Sequence, residues 1–142
     1  MELKDVIDIY NKGYDCAQAV LYAFKDKVDG DFDSEMRTIS CMSMGLLEGS
    51  ICGAVLGALA VIGLKFGGSD NDPGKKGLAL LKRAQFMMEY HKICDGLTCP
   101  EIVKLDVRKN EDNLKAYQTG IYDHFCPEFC LKIINITEKI VE

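Results

Sequence analysis

The chain has no CxxC pair, no CxxCH haem-attachment run, no P-loop, no GxGxxG turn after a strand and no serine-triad motif. Thioredoxin-like, c-type haem, nucleotide, dinucleotide and serine-hydrolase chemistry therefore all lack their parts. No lysine or arginine block stands out, and the net charge is -5. That balance offers no electrostatic footprint for nucleic acid or for an anionic membrane surface. The longest apolar run, from Ile51 to Leu64, is shorter than the roughly 18 residues a membrane span requires. The opening MELKDVIDIYNKG carries Glu2, Lys4, Asp5 and Asp8, so it lacks the apolar stretch of a secretory signal, and the expectation is a mature cytoplasmic chain starting here. There is no internal repeat and no low-complexity segment, and nothing reads as a strand. Asp70, Asn71 and Asp72 suggest a calcium loop, but Leu81 or a neighbour stands where its last glutamate belongs, so SDNDPG reads as a turn.

What remains is ordinary in bulk and unusual in its cysteines. Of the 142 residues, 48% are hydrophobic and 27% charged, enough for one soluble domain over residues 1–142 that needs no disulfide to fold. The periodicity predicts an all-α, single-domain bundle of six to eight helices. These are residues 3–12 up to Gly13, Cys16 to about Lys27, a helix from Asp33 or Ser34 to Gly45, residues 51–66, residues 74–94 with Gly96 as C-cap, a short helix from Cys99, one near 110–119, and Cys126 to Val141. In the fifth, Leu80, Ala84, Met87, His91 and Cys94 fall along one line. In the fourth, small residues at Gly53, Ala54, Gly57, Ala58 and Ala60 read first as allowing close helix packing, and as an interface only if the chain docks on a partner; a homo-oligomer is a separate expectation.

Seven cysteines are present, and four of them sit where a helix is about to start: Cys16, Cys52, Cys99 and Cys126. Asp15 with Gln18 and Thr98 with Glu101 read as capping boxes, and Ser50 reads as a cap for the segment carrying Cys52. Pro100 and Pro127 follow Cys99 and Cys126, as suits a first turn. A helix start favours thiolate over thiol, and thiolate is the form that attacks disulfides and binds metals. The gaps of 36, 47 and 27 residues match no local zinc or ferredoxin spacing, so any shared site must be assembled by the fold. Three readings stay open on the residues alone: a common metal or cluster site, dithiol–disulfide chemistry, and separate structural cysteines. Cys41, Cys94 and Cys130 read as core residues within helices, with Cys94 and Cys130 placed to act as resolving thiols or spare ligands. His124 stands two residues before Cys126, where it can tune that thiol or sit exposed, and His91 reads as structural.

The segment DCAQ, the box CGAVLG and the two later single cysteines resemble the bacterial and archaeal C_GCAxxG_C_C family of redox-active proteins over nearly the whole chain. The stretch SMGLLEGSI before Cys52 departs from the more glycine-rich run of that pattern. The resemblance implies an all-α fold, a redox role carried by Cys16, Cys52, Cys99 and Cys126, and gene neighbourhoods shared with transporters. It is compatible with an iron–sulfur cluster on those four residues. The leading expectation is a cytoplasmic electron carrier with a cluster of the [2Fe-2S] type and a redox partner protein. One alternative is a metal-free thiol oxidoreductase with Cys52 attacking and Cys16 or Cys126 resolving. Another is a non-enzymatic metal-binding module, zinc included, docked on a transporter.

Overall fold

The computed structural model describes all 142 residues. It is all-α, with eight α-helices: α1 (Leu3–Asn11), α2 (Cys16–Tyr22), α3 (Phe32–Ile39), α4 (Gly53–Phe66), α5 (Pro73–His91), α6 (Cys99–Val103), α7 (Asn110–Gln118) and α8 (Cys126–Val141). The one extended pairing is an isolated antiparallel bridge between Ile51 and Thr98. No helix is long and apolar enough to cross a membrane.

Two helices organise the rest. In α4 the lone charge is Lys65, and both the small and the β-branched residues are buried, from Gly53 and Ala54 to Val61 and Ile62. Such an all-round apolar helix belongs in the middle of a bundle. It packs against α2, α5 and α8. Helix α8 keeps Glu128, Lys132, Asn135 and Lys139 on an exposed stripe and buries Phe129, Cys130, Ile133, Ile134 and Ile140. Its buried face meets α1, α2, α4 and α5, so a single apolar cluster links both ends of the sequence.

Several boundaries differ from the sequence reading. Helix α2 stops at Tyr22 rather than near Lys27, because the following hydrogen bonds tighten to i→i−3, as from Phe24 to Leu21 and Lys27 to Phe24. Helix α3 ends at Ile39, and what was expected to be its last turn is instead a left-handed turn over Met44–Leu47. Cys41 is therefore exposed between the two and is no core residue. Helix α5 ends at His91, capped by Lys92, which leaves Cys94 half-buried beyond the helix. Its buried line runs through Phe86 and Tyr90, while Leu80, Ala84 and His91 are exposed. The two large rings meet α4 and α8, and Tyr90 Oη donates to the Gly96 carbonyl at 2.7 Å, so aromatic bulk rather than leucine count sets the facing. The Asp70–Asp72 segment is a turn: the Asp72 carboxylate caps α5 by accepting from Gly74 N–H at 2.8 Å.

Candidate functional site

Cys16, Cys52, Cys99 and Cys126 all line one cavity of about 510 Å³, and Cys130 joins them in its wall. Helices α1, α2, α6 and α8 and the start of α4 contribute its sides. Four chain segments far apart in sequence thus bring their cysteines to one place.

Cys16 opens α2, but its environment is not the predicted capping box. The Asp15 side chain makes no cap bond to its own helix, and Gln18 donates to the Met36 carbonyl at 3.2 Å. Ser43 takes over: its hydroxyl accepts from Ala17 N–H at 3.0 Å and donates to the Asp15 carboxylate. One buried serine thereby ties the start of α2 to the loop before α4. The Cys16 thiol is held below its ordinary range chiefly by the Cys52 thiol donating to its sulfur; burial opposes this, and Met44 N–H adds a second donor. Cys52 is pushed up in turn, first because its proton is shared with Cys16 and then by burial and the Cys16 charge. The two thiols titrate as a coupled pair.

Cys52 is the N-cap residue of α4 rather than part of its first turn, and Ser50 does not cap that helix. Instead the Ser50 carbonyl accepts from Cys99 N–H at 2.9 Å, and Cys52 N–H donates to the Leu97 carbonyl at 2.9 Å. Those two bonds lace the Cys52 and Cys99 segments together beside the Ile51–Thr98 bridge.

Cys99 begins α6 as predicted, with Thr98 Oγ1 accepting from Glu101 N–H at 3.3 Å. Burial nevertheless pushes its thiol up to about 11, with the Cys16 charge and Asp106 adding to the effect. Cys126 begins α8, yet a π-helical turn over Ile121–Phe125 runs directly into it, so its helix start is not a free end. Burial, then Cys16 and Cys99, push this thiol up to about 12. A helix start thus does not lower a thiol when burial outweighs the partial charge, and among the four only Cys16 moves down.

Sequence reasoning missed three supporting groups. Tyr10 Oη lies 3.2 Å from Cys130 Sγ, and burial drives both groups to their neutral forms. Ser43 and the Met44 amide act only through tertiary contact, so no local pattern announces them. Met44, Leu46 and Leu47 have φ of 55°, 58° and 56°, the left-handed region that glycine tolerates and L side chains resist. The turn that brings Met44 N–H to Cys16 is strained. His124 is exposed at the cavity, and its ring lies over Gly120.

Residues 14–140 match the model of the family described as "Putative redox-active protein (C_GCAxxG_C_C)". The chain belongs to this family. No curated protein and no solved structure matches it. In the CGAVLG segment Cys52 joins Cys16 on the cavity wall, Gly53 leaves room for the Cys16 sulfur, and Gly57 lets α2 lie against α4.

Proposed function

We propose that the protein exchanges electrons in pairs through Cys16 and Cys52, cycling between dithiol and disulfide. The carrying observation is that the fold brings the two segments together: Cys16 and Cys52 line one cavity, and the Cys16 sulfur lies against Gly53, the residue that follows Cys52. The lowered Cys16 thiol is the better nucleophile of the two at neutral pH, and Cys52 on the same cavity is the resolving thiol. Cys16 is the attacking sulfur. It displaces one sulfur of an oxidised partner, forming a mixed disulfide; Cys52 then loses its proton, attacks Cys16 and releases the partner's second sulfur as a thiolate. Two thiols are oxidised, one disulfide bond is reduced, and the count balances. Blocking free thiols at defined dithiothreitol ratios, then mapping by mass spectrometry, tests this: Cys16 and Cys52 must convert together.

A second reading is supported by the presence of Cys99 and Cys126 on the same cavity, which a single dithiol does not require. No three His, Cys, Asp or Glu side chains are grouped around one point in this arrangement. The donor chemistry does suit a larger sulfide-bridged group. Cys16, Cys52, Cys99 and Cys126 are soft ligands on the wall of one cavity. Such a [2Fe-2S] group would supply one-electron transfer when bound. Iron and acid-labile sulfide on protein purified without oxygen, lost on changing any of the four cysteines to serine, would establish it. In either reading the setting we propose is the cytoplasm, where thiols stay reduced, with a redox partner protein. A transporter-associated partner rests on the family resemblance.

A further inference from the structure

The cavity beside the cysteines is much larger than a dithiol needs, and its walls have a definite chemical bias. At about 510 Å³ it lies in the range of small-molecule sites. Of its 22 lining residues 16 are hydrophobic, and none is lysine or arginine. The acids in its wall are Asp15 and Asp123. A wall with two carboxylates and no permanent cation disfavours phosphate-bearing or multiply carboxylated ligands, whose charge would enter an apolar space unpaired. Nucleotide cofactors and anionic thiol peptides are poor fits on this ground. Aromatic rings dominate one side. Tyr117 and Tyr122 meet edge to face at 4.7 Å between centroids, and Phe125 stacks on Phe129 at 6.2 Å. Faces of this kind favour flat, neutral rings.

A neutral planar molecule that exchanges two electrons and two protons meets each of these constraints and matches what a dithiol can give. We infer that this cavity is a binding site for a small neutral quinone, which accepts the electron pair of Cys16 and Cys52. The inference rests on the dithiol reading above. The step balances: the Cys16 thiolate, the Cys52 thiol, the quinone and one solvent proton yield the disulfide and the hydroquinone. Two sulfurs are oxidised, the sulfur–sulfur bond forms, and the quinone takes both electrons, with one proton from Cys52 and one from water.

Tetramethyl-1,4-benzoquinone is a suitable probe, because its ring has no open position for thiol addition. The chain has no tryptophan and six tyrosines, and Tyr10, Tyr14, Tyr117 and Tyr122 line the cavity, so tyrosine fluorescence reports occupancy. With full-length Cys16→Ser protein, which cannot complete the oxidation, quenching should saturate. Tyr117→Ala, a change at a rim residue that is 63% exposed, should weaken that binding at least fivefold without unfolding the chain. With the unmodified reduced protein, one hydroquinone should appear per Cys16–Cys52 disulfide. Quenching that never saturates, or equal affinity for a sulfonated naphthoquinone, overturns the ligand class. Oxidation of the pair by diamide but not by the quinone sinks this inference and leaves the dithiol reading standing. Failure of both oxidants to link Cys16 to Cys52 removes the dithiol reading and this inference with it.

Discussion

Three glycines on the single helix α4 should respond to alanine in three different ways. At Gly57 an added Cβ would sit 2.6 Å from the Ala17 carbonyl oxygen and 3.0 Å from Val20 Cβ. A backbone carbonyl inside a helix cannot swing aside, so α2 and α4 must separate. Overpacking of this kind costs about 1–3 kcal/mol, while alanine regains about 1 kcal/mol of helix propensity over glycine. Because the clash is with backbone, the net loss should be about 1–2 kcal/mol, or about 3–7 °C in Tm for a domain of this size. At Gly53 the new Cβ would meet Cys16 Sγ at 2.7 Å, Ser43 Cα at 2.8 Å and the Met42 carbonyl at 2.9 Å. Being the first residue of α4, it gains little from propensity, and its clash displaces the thiol itself. Gly53→Ala should therefore lose stability by about 2–3 kcal/mol and also raise the pH at which Cys16 becomes reactive. At Gly63 nothing lies within 4 Å, so alanine should stabilise by up to about 1 kcal/mol. Urea unfolding of the three variants, with iodoacetamide rates at Cys16, reads all three effects. Equal stability of Gly57→Ala and Gly63→Ala would refute the close approach of α2 to α4, and an unchanged Cys16 pH profile in Gly53→Ala would refute the contact with its sulfur.

The lowered Cys16 thiol should alkylate with a midpoint well below that of an ordinary cysteine; Cys52→Ala should move that midpoint up, as read by mass spectrometry from pH 5 to 9. Stability should fall at alkaline pH. Cys99 and Cys126 are raised to about 11 and about 12, so between the ordinary thiol range and those values the unfolded chain has lost protons that the fold keeps. Each such thiol lowers stability by up to about 1.4 kcal/mol per pH unit, which urea midpoints from pH 8 to 10 should show; a flat or rising midpoint contradicts the burial of these thiols. Cys16 works the other way: its depressed value adds stability that is lost as pH falls through about 6. Leu47→Gly should stabilise by about 0.5–1 kcal/mol, since Leu47 is 64% exposed with φ of 56° and the relieved strain exceeds the entropy cost of glycine; a destabilised variant would contradict the left-handed turn. Ser43→Ala should cost about 1–3 kcal/mol in urea unfolding by stranding Ala17 N–H and one Asp15 oxygen, and a neutral change would contradict that bridge.

Much of this molecule was legible from local chemistry. Pro127 and the apolar period of α8 announced that helix from Cys126 to Val141, and the small and β-branched residues of α4 announced a buried helix. The gathering of four non-local cysteines was legible only as a requirement that the fold had to meet. Which thiol is acidic was not legible. Helix position alone ranks Cys52 first, but the outcome turns on which sulfur receives the other's proton and the Met44 amide, and on burial at Cys99 and Cys126. The facing of α5 was missed for a related reason: its leucines offer a plausible stripe, yet Phe86 and Tyr90 fill the space between α4 and α8. The left-handed turn over Met44–Leu47 was invisible because most of its residues are ones that ordinarily continue a helix.

The central claim is that Cys16 and Cys52 form the electron-exchanging pair, and the most direct measurement equilibrates oxygen-free protein in dithiothreitol redox buffers, traps its thiols for mass spectrometry, and assays iron and sulfide on the same sample. The account predicts one two-electron transition in metal-free protein that converts Cys16 and Cys52 together and leaves Cys99, Cys126 and Cys130 as thiols. It is contradicted by the absence of any transition at that pair, and above all by iron and sulfide present in a fixed ratio with all four cysteines protected.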